Sequence, residues 1–241
     1  MLLGLGSMPQ CGLGNRLLYY YNLRQEAHHR GCDYFAIPFL GTELFVGNLT
    51  GAYPTLVEYE LFEFYLGERF YRYNELSTRE VFKLQTVPQV WPSWGKTCAL
   101  HFRGGDFRSW NPRAILDTSY YCDSIDEIKK EATNFVLFSD DTSLESYSKV
   151  QKYLASQNLS FTLGDNNTNR RKYGHDFSIM SECDYIISSP STYSICAGFI
   201  GKQKKIIHSQ EWVKERVDEG DKFWVDLYEG GNDDYKIWKL I

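Results

Sequence analysis

From Thr97 onward, short apolar runs alternate with stretches of helical periodicity, and this alternation constrains the fold more than any other feature of the chain. The runs are Thr97 to Phe102, Asn134 to Phe138, Phe161 to Leu163, Tyr185 to Ser188 and Lys205 to His208. Between them, Thr118 to Glu131, Ser143 to Gln157, Asp176 to Cys183 and Ser191 to Gly201 read as helices. Strands separated by whole helices pair in parallel through right-handed crossovers, not as hairpins. The chain is therefore read as α/β.

The N-terminal part repeats the pattern once. Met1 to Ser7 reads as a strand, Leu17 to about Arg30 as a helix stopped by Gly31, and Tyr34 to Ile37 as a second strand. The aromatic-rich stretch Leu56 to Arg72 is expected to be helical. Pro88, Trp91, Pro92, Ser93, Trp94 and Gly95 then punctuate the chain. We accordingly divide it into an N-terminal Rossmann-like half (1–95), a C-terminal Rossmann-like half (96–210) and a segment packing back on the body (211–241).

Composition excludes several classes. With 241 residues, 43% hydrophobic and 16% aromatic, the chain can bury a substantial core. A net charge of −5 without a basic stripe argues against a nucleic-acid partner. None of the six cysteines forms a C-x-x-C pair, which argues against a zinc site, and a reducing compartment suits them. No apolar run is long enough for a membrane span, and the first residues carry no basic leader, so a soluble cytoplasmic protein is expected.

Four loops fall at expected strand carboxyl ends, where open α/β sheets bind ligands. They are Gly12 to Arg16, Arg103 to Asp106, Ser139-Asp140-Asp141 and Ser189 to Ser194. Arg103 offers a planar fork of donors suited to phosphate oxygens, and Gly104-Gly105 permits a close backbone approach. An Arg103–Asp106 surface ion pair fits the same residues. Gly12 and Gly14 would admit a sugar or diphosphate, or simply make a tight strand-to-helix turn. The hydroxyls of Ser191, Thr192 and Ser194 and the backbone N–H groups there suit a phosphate, while a plain N-cap needs only one of them. Asp140-Asp141 is compatible with a metal pair, but capping of the next helix is favoured for Asp141. Asp176 fits either a guanine edge or an N-cap.

These segments together resemble glycosyltransferase family 11, the α-1,2-fucosyltransferases. Gly12-Leu13-Gly14-Asn15-Arg16-Leu17 is similar to the family's Gly-Leu-Gly-Asn-Gln opening, and His101-Phe102-Arg103-Gly104-Gly105-Asp106 to its His-x-Arg-Arg-Gly-Asp motif. Phe138-Ser139-Asp140-Asp141 is similar to its Phe-Ser-Asp-Asp element. Asp176 to Cys183, followed by Ser191-Thr192-Tyr193-Ser194, is similar to its Asp-x-x-x-Met-Ser-x-Cys…Ser-Thr-Phe-Ser segment. The sequence departs at Arg16, at Gly104 (an arginine in the family) and at Ile195-Cys196 (commonly two tryptophans).

The resemblance implies a GT-B-like architecture, two Rossmann-like halves with parallel sheets and a nucleotide-sugar cleft between them. It implies an inverting fucosyltransferase that moves L-fucose from GDP-β-L-fucose to a glycan hydroxyl, in α-1,2 linkage, during surface-glycan synthesis. No cofactor and no obligatory metal are expected. The partners are the nucleotide-sugar donor and an oligosaccharide acceptor, with peripheral contact to membrane-bound acceptors. Carried over by position, Arg103 would grip the diphosphate, with Asp140 beside the donor, and His101 and Asp176 would orient guanine. Ser191, Thr192 and Ser194 would hold phosphate oxygens, Gly14 would line the donor, and Asn15 would face fucose or acceptor. Asp106 and Glu43 are candidate bases. A different nucleotide sugar on the same frame, or a non-catalytic nucleotide-sugar-binding protein, are the alternatives.

Overall fold

The computed structural model of the chain describes residues 2–8, 10–47, 49–51, 59–64, 75–85, 95–164, 173–201, 205–229 and 238–241. Two compact units share the chain: Met1–Thr86 with Arg216–Lys236, and Val87–Glu215 with Ile237–Ile241. The stretch from residue 211 is thus divided between them. The boundary expected at residue 95 adjoins residues 86–94, which lie outside the described set.

In the first unit, β1 (Leu2–Leu5) pairs in parallel with β2 (Asp33–Ala36) and with β3 (Glu60–Leu61), in the order β2-β1-β3. Helix α1 (Leu13–His29) connects β1 to β2. It is buried on most of its circumference, through Leu17, Leu18, Tyr20, Tyr21 and Leu23. Its end is set by Gly31, whose φ of 59° lies in the left-handed region that glycine adopts without strain. Gln25 is buried and accepts hydrogen bonds from the N–H groups of Glu75 (3.1 Å) and Leu76 (3.0 Å). It thereby anchors the approach to α2 (Thr78–Val81), which opens on a Ser77–Glu80 capping box.

Two expectations for this unit are corrected. Gly14 and Asn15 do not lie in a loop, because α1 already begins at Leu13 with Gly12 at its N-cap. The stretch Leu56 to Arg72 is not helical where it is described, at residues 59–64, and contains β3. There Leu61 and Glu63 are exposed while Phe62 and Phe64 are buried, so the burial period is two, not 3.6.

The second unit holds a parallel six-stranded sheet in the order β6-β5-β4-β7-β8-β9. Its strands are β4 (Thr97–Phe102), β5 (Asn134–Ser139), β6 (Ser160–Leu163), β7 (Tyr185–Ile187), β8 (Lys205–His208) and β9 (Lys239–Leu240). Numbered from β4, this is the doubly wound order 3-2-1-4-5-6, which reverses direction between β4 and β7. Helices α3 (Phe107–Trp110), α4 (Thr118–Ile128), α5 (Glu145–Ser156), α6 (Tyr173–Glu182) and α7 (Thr192–Ile200) occupy the connections. Helices α8 (Gln210–Asp218) and α9 (Lys222–Glu229) precede β9, and the division between the units falls inside α8.

The central strands β4, β5, β7 and β8 are buried along nearly their whole length and are accordingly rich in apolar residues. Cys98, Leu100, Phe102, Phe135, Leu137, Tyr185, Ile187 and Ile207 form one core with Tyr121, Ile125 and Ile128 of α4 and Tyr147, Val150 and Leu154 of α5. On α7, Gly198 allows the helix to seat against the sheet: a Cβ there would lie 2.4 Å from Ile206 Cδ1. Strand β9 was not foreseen in the sequence. It pairs Ile207 with Lys239 and His208 with Leu240. The six cysteines are free thiols, with Cys98, Cys183 and Cys196 buried as small core residues. No helix among the described residues is long and apolar enough to cross a membrane.

Candidate active site

The carboxyl ends of β4 and β7 flank the reversal of strand order, and the loops that follow them carry most of the singled-out residues of the second unit. Arg103 follows β4 directly. Its guanidinium donates to Asp140 after β5 and to Asp106 Oδ1 at 2.6 Å, and it lies 5.1 Å from the Phe107 ring centre. Asp140 uses its other oxygen to accept the Gly104 N–H at 2.8 Å. Burial pushes the Asp140 carboxyl above its ordinary value, and the Arg103 charge and the Gly104 N–H pull against that. The Arg103–Asp106 pair read from the sequence is present, and Asp140 joins it.

The two glycines serve this loop rather than only a ligand. A Cβ on Gly104 would lie 2.8 Å from Asp141 Cβ, and one on Gly105 would lie 2.6 Å from Asp140 Oδ2. The glycines let the two aspartates come close. Asp141 does not cap α5, whose N-cap is Leu144. It instead pairs with Arg108 Nε at 2.6 Å and accepts the Ser143 N–H at 3.0 Å, because its short side chain closes a turn on its own backbone.

His101 is buried on β4. Its Nδ1 lies 2.8 Å from Ser189 Oγ, and its ring stacks on Tyr193 at 5.6 Å. Burial, and secondarily the Arg103 charge, push its pKa down to about 3, so the ring is neutral. It ties the end of β4 to the loop after β7. In that loop Ser191 caps α7 by accepting the Tyr193 N–H at 3.3 Å, as the simpler reading of this residue expected. Ser194 is fully buried: its hydroxyl donates to the Ser191 carbonyl at 3.1 Å and lies 2.8 Å from Ser188 Oγ. Thr192, half-buried, opens α7. Asp176 does not cap its helix. It lies buried inside α6, one residue before Phe177, whose ring meets Tyr193 edge-on.

In the first unit, Gly14 is buried and Asn15 half-buried in the first turn of α1. A Cβ on Gly12 would meet nothing within 4 Å, so space is open at that helix start. Glu43 accepts the Gly41 N–H at 2.8 Å. Among the described residues, no group of three or more His, Cys, Asp or Glu is arranged to hold a metal ion.

Three supports of the site were missed in the sequence. The Tyr120 hydroxyl bridges the carbonyls of Ser188 (2.9 Å) and Ile207 (3.1 Å), and the Tyr121 hydroxyl donates to the His101 carbonyl at 3.1 Å. His208 is fully buried at the end of β8, and burial pushes its pKa down to about 4. The adjacent tyrosines looked like ordinary helix residues. Their polar tips in an apolar helix face were the available signal.

A family model, glycosyl transferase family 11, matches residues 81–225. No curated protein and no solved structure matches the chain.

Proposed function

Since the chain belongs to glycosyl transferase family 11, we propose that this member transfers L-fucose from GDP-β-L-fucose to a glycan hydroxyl, in α-1,2 linkage and with inversion at the anomeric carbon, without an obligatory metal. The observation that carries the reading is the convergence of Arg103 and the Ser191-capped start of α7 on the reversal between β4 and β7. There an arginine fork and the positive end of a helix can take a diphosphate. The chemistry asked of the site is leaving-group stabilisation. As the anomeric carbon–oxygen bond breaks, negative charge gathers on the departing nucleoside diphosphate. Arg103 would meet that charge by exchanging carboxylate partners for phosphate oxygens. Asp106, released from Arg103 in the same exchange and two-thirds exposed, would be available to take the acceptor proton. His101 would act through Ser189, holding the loop rather than touching the base.

One observation favours a second reading, a different nucleotide sugar on the same frame. Position 104 cannot take a side chain unless Asp141 and Leu144 move, so the family's second arginine has no room here. The test is thermal stabilisation by GDP, GDP-fucose and UDP, together with turnover of wild type and Arg103→Ala. Selective stabilisation by guanine diphosphates and a fall in turnover of about 10²-fold or more in Arg103→Ala, with the fold intact, are expected. Stabilisation by UDP moves the reading to the second sugar nucleotide. Near-normal turnover of Arg103→Ala overturns the role of that arginine.

A further inference from the structure

Beside the Arg103 loop stands an aromatic pair that no step above uses. Trp110, at the end of α3, is 64% exposed. Its ring centre lies 5.0 Å from that of Phe107, with the planes tilted by 52°. Phe107 in turn lies 5.1 Å beneath the Arg103 guanidinium carbon. The backbone fixes the turn that carries them: the N–H groups of Trp110 and Ser109 donate to the Asp106 carbonyl at 3.0 and 3.1 Å. The polar side chains next to Trp110 in the chain are engaged with other groups. Arg108 is held by Asp141 and Ser143, Ser109 donates to Asp106, and Asn111 accepts the Arg113 N–H at 3.2 Å.

A single exposed apolar residue is ordinary on a protein surface, but Trp110 sits in a turn fixed by backbone hydrogen bonds and reaches Arg103 through Phe107. We propose that Trp110, supported by Phe107, is a stacking platform for a pyranose ring of the acceptor oligosaccharide. This rests on the reading of Arg103 as the diphosphate-binding residue. A pyranose presents one or both faces as an array of C–H groups with hydroxyls around its rim. The C–H face fits the exposed indole of Trp110, which stands against Phe107. Position selects among the parts of the substrates. The anomeric carbon is one oxygen away from the phosphate that Arg103 would hold, whereas the nucleoside base lies at the far end of the diphosphate. With the sugar-bearing phosphate at Arg103, a surface continuous with that arginine through Phe107 would lie at the reacting end. The donor sugar needs a site from which water is excluded, and an indole this exposed meets an arriving acceptor instead.

The test uses Trp110→Ala and Trp110→Phe in the full chain. Ligand-observed NMR with free lactose, cellobiose and maltose at millimolar concentration reads sugar binding independently of turnover. At least one disaccharide is expected to bind wild type, more weakly to Trp110→Phe and not measurably to Trp110→Ala. In kinetics, Trp110→Ala raises the acceptor KM by about tenfold with a smaller change in kcat, and leaves the donor KM and slow donor hydrolysis unchanged. A raised donor KM would make the surface a donor subsite and overturn the proposal. So would equal binding of the disaccharides by wild type and Trp110→Ala, or by neither. Sugar binding that depends on Trp110 in a protein indifferent to every nucleotide would leave the platform standing and remove the donor reading.

Discussion

His101 and His208 are held neutral by burial, with pKa values pushed down to about 3 and about 4. In the unfolded chain both would protonate near the ordinary value of about 6.5. Between these limits the unfolded state binds more protons than the folded state. Stability is therefore complete above about pH 6.5 and falls as the pH drops, by about 1.4 kcal/mol per unit for each ring. Urea titrations between about pH 7 and pH 5 should record this decline; a flat profile would mean that the rings protonate in place. At Gly104 the expected effect is steric. Gly104→Ala sets a Cβ 2.8 Å from Asp141 Cβ and 2.9 Å from Leu144 Cδ2, and a loss of about 1–3 kcal/mol in unfolding free energy should follow. Unchanged stability would show that the loop shifts freely. The sequence revealed both glycines but not what they admit. The partners Asp140 and Asp141 are distant in the chain, and only the pairing of β4 with β5 brings them alongside.

At the scale of elements, most strands and helices from Thr97 to His208 were legible because the central strands are buried along their length and α4 and α5 are amphipathic, whereas the four-residue α3 was not read. Strand β4 has the bounds read from the sequence, β5 differs by a residue at one end and α7 by a residue at each end. The aromatic stretch around β3 and the short strand β9 were not legible. Two-residue strands carry no periodicity, and their pairing is decided by distant partners. Tyr120 illustrates how elements are joined. Its single hydroxyl serves carbonyls at the ends of β7 and β8, linking α4 to both strands below the candidate site. Tyr120→Phe leaves the ring in place and strips both carbonyls of this donor. We expect a loss of about 1–2 kcal/mol in chemical unfolding, because a buried acceptor loses its partner. A phenylalanine variant as stable as wild type would mean that the bridge adds nothing to the link.

On the scale of the whole molecule, the second unit carries the doubly wound order whose reversal marks a ligand site from topology alone. The loops read as convergent in the sequence were of two kinds. Those after β4, β5 and β7 end neighbouring strands of one sheet, while Gly12 to Arg16 belongs to the first unit. The charges around Arg103 have one more consequence. One guanidinium stands between two carboxylates, in a chain whose net charge is −5. An approaching polyanion therefore meets no attractive field to draw it in. Its association rate constant should gain nothing from electrostatic steering. Added salt should leave that rate level or raise it, the reverse of its effect on a positively charged funnel. Under the role proposed for Arg103, selectivity would then reside in residence time: a ligand would stay only if it could replace both carboxylates at the guanidinium once it had arrived.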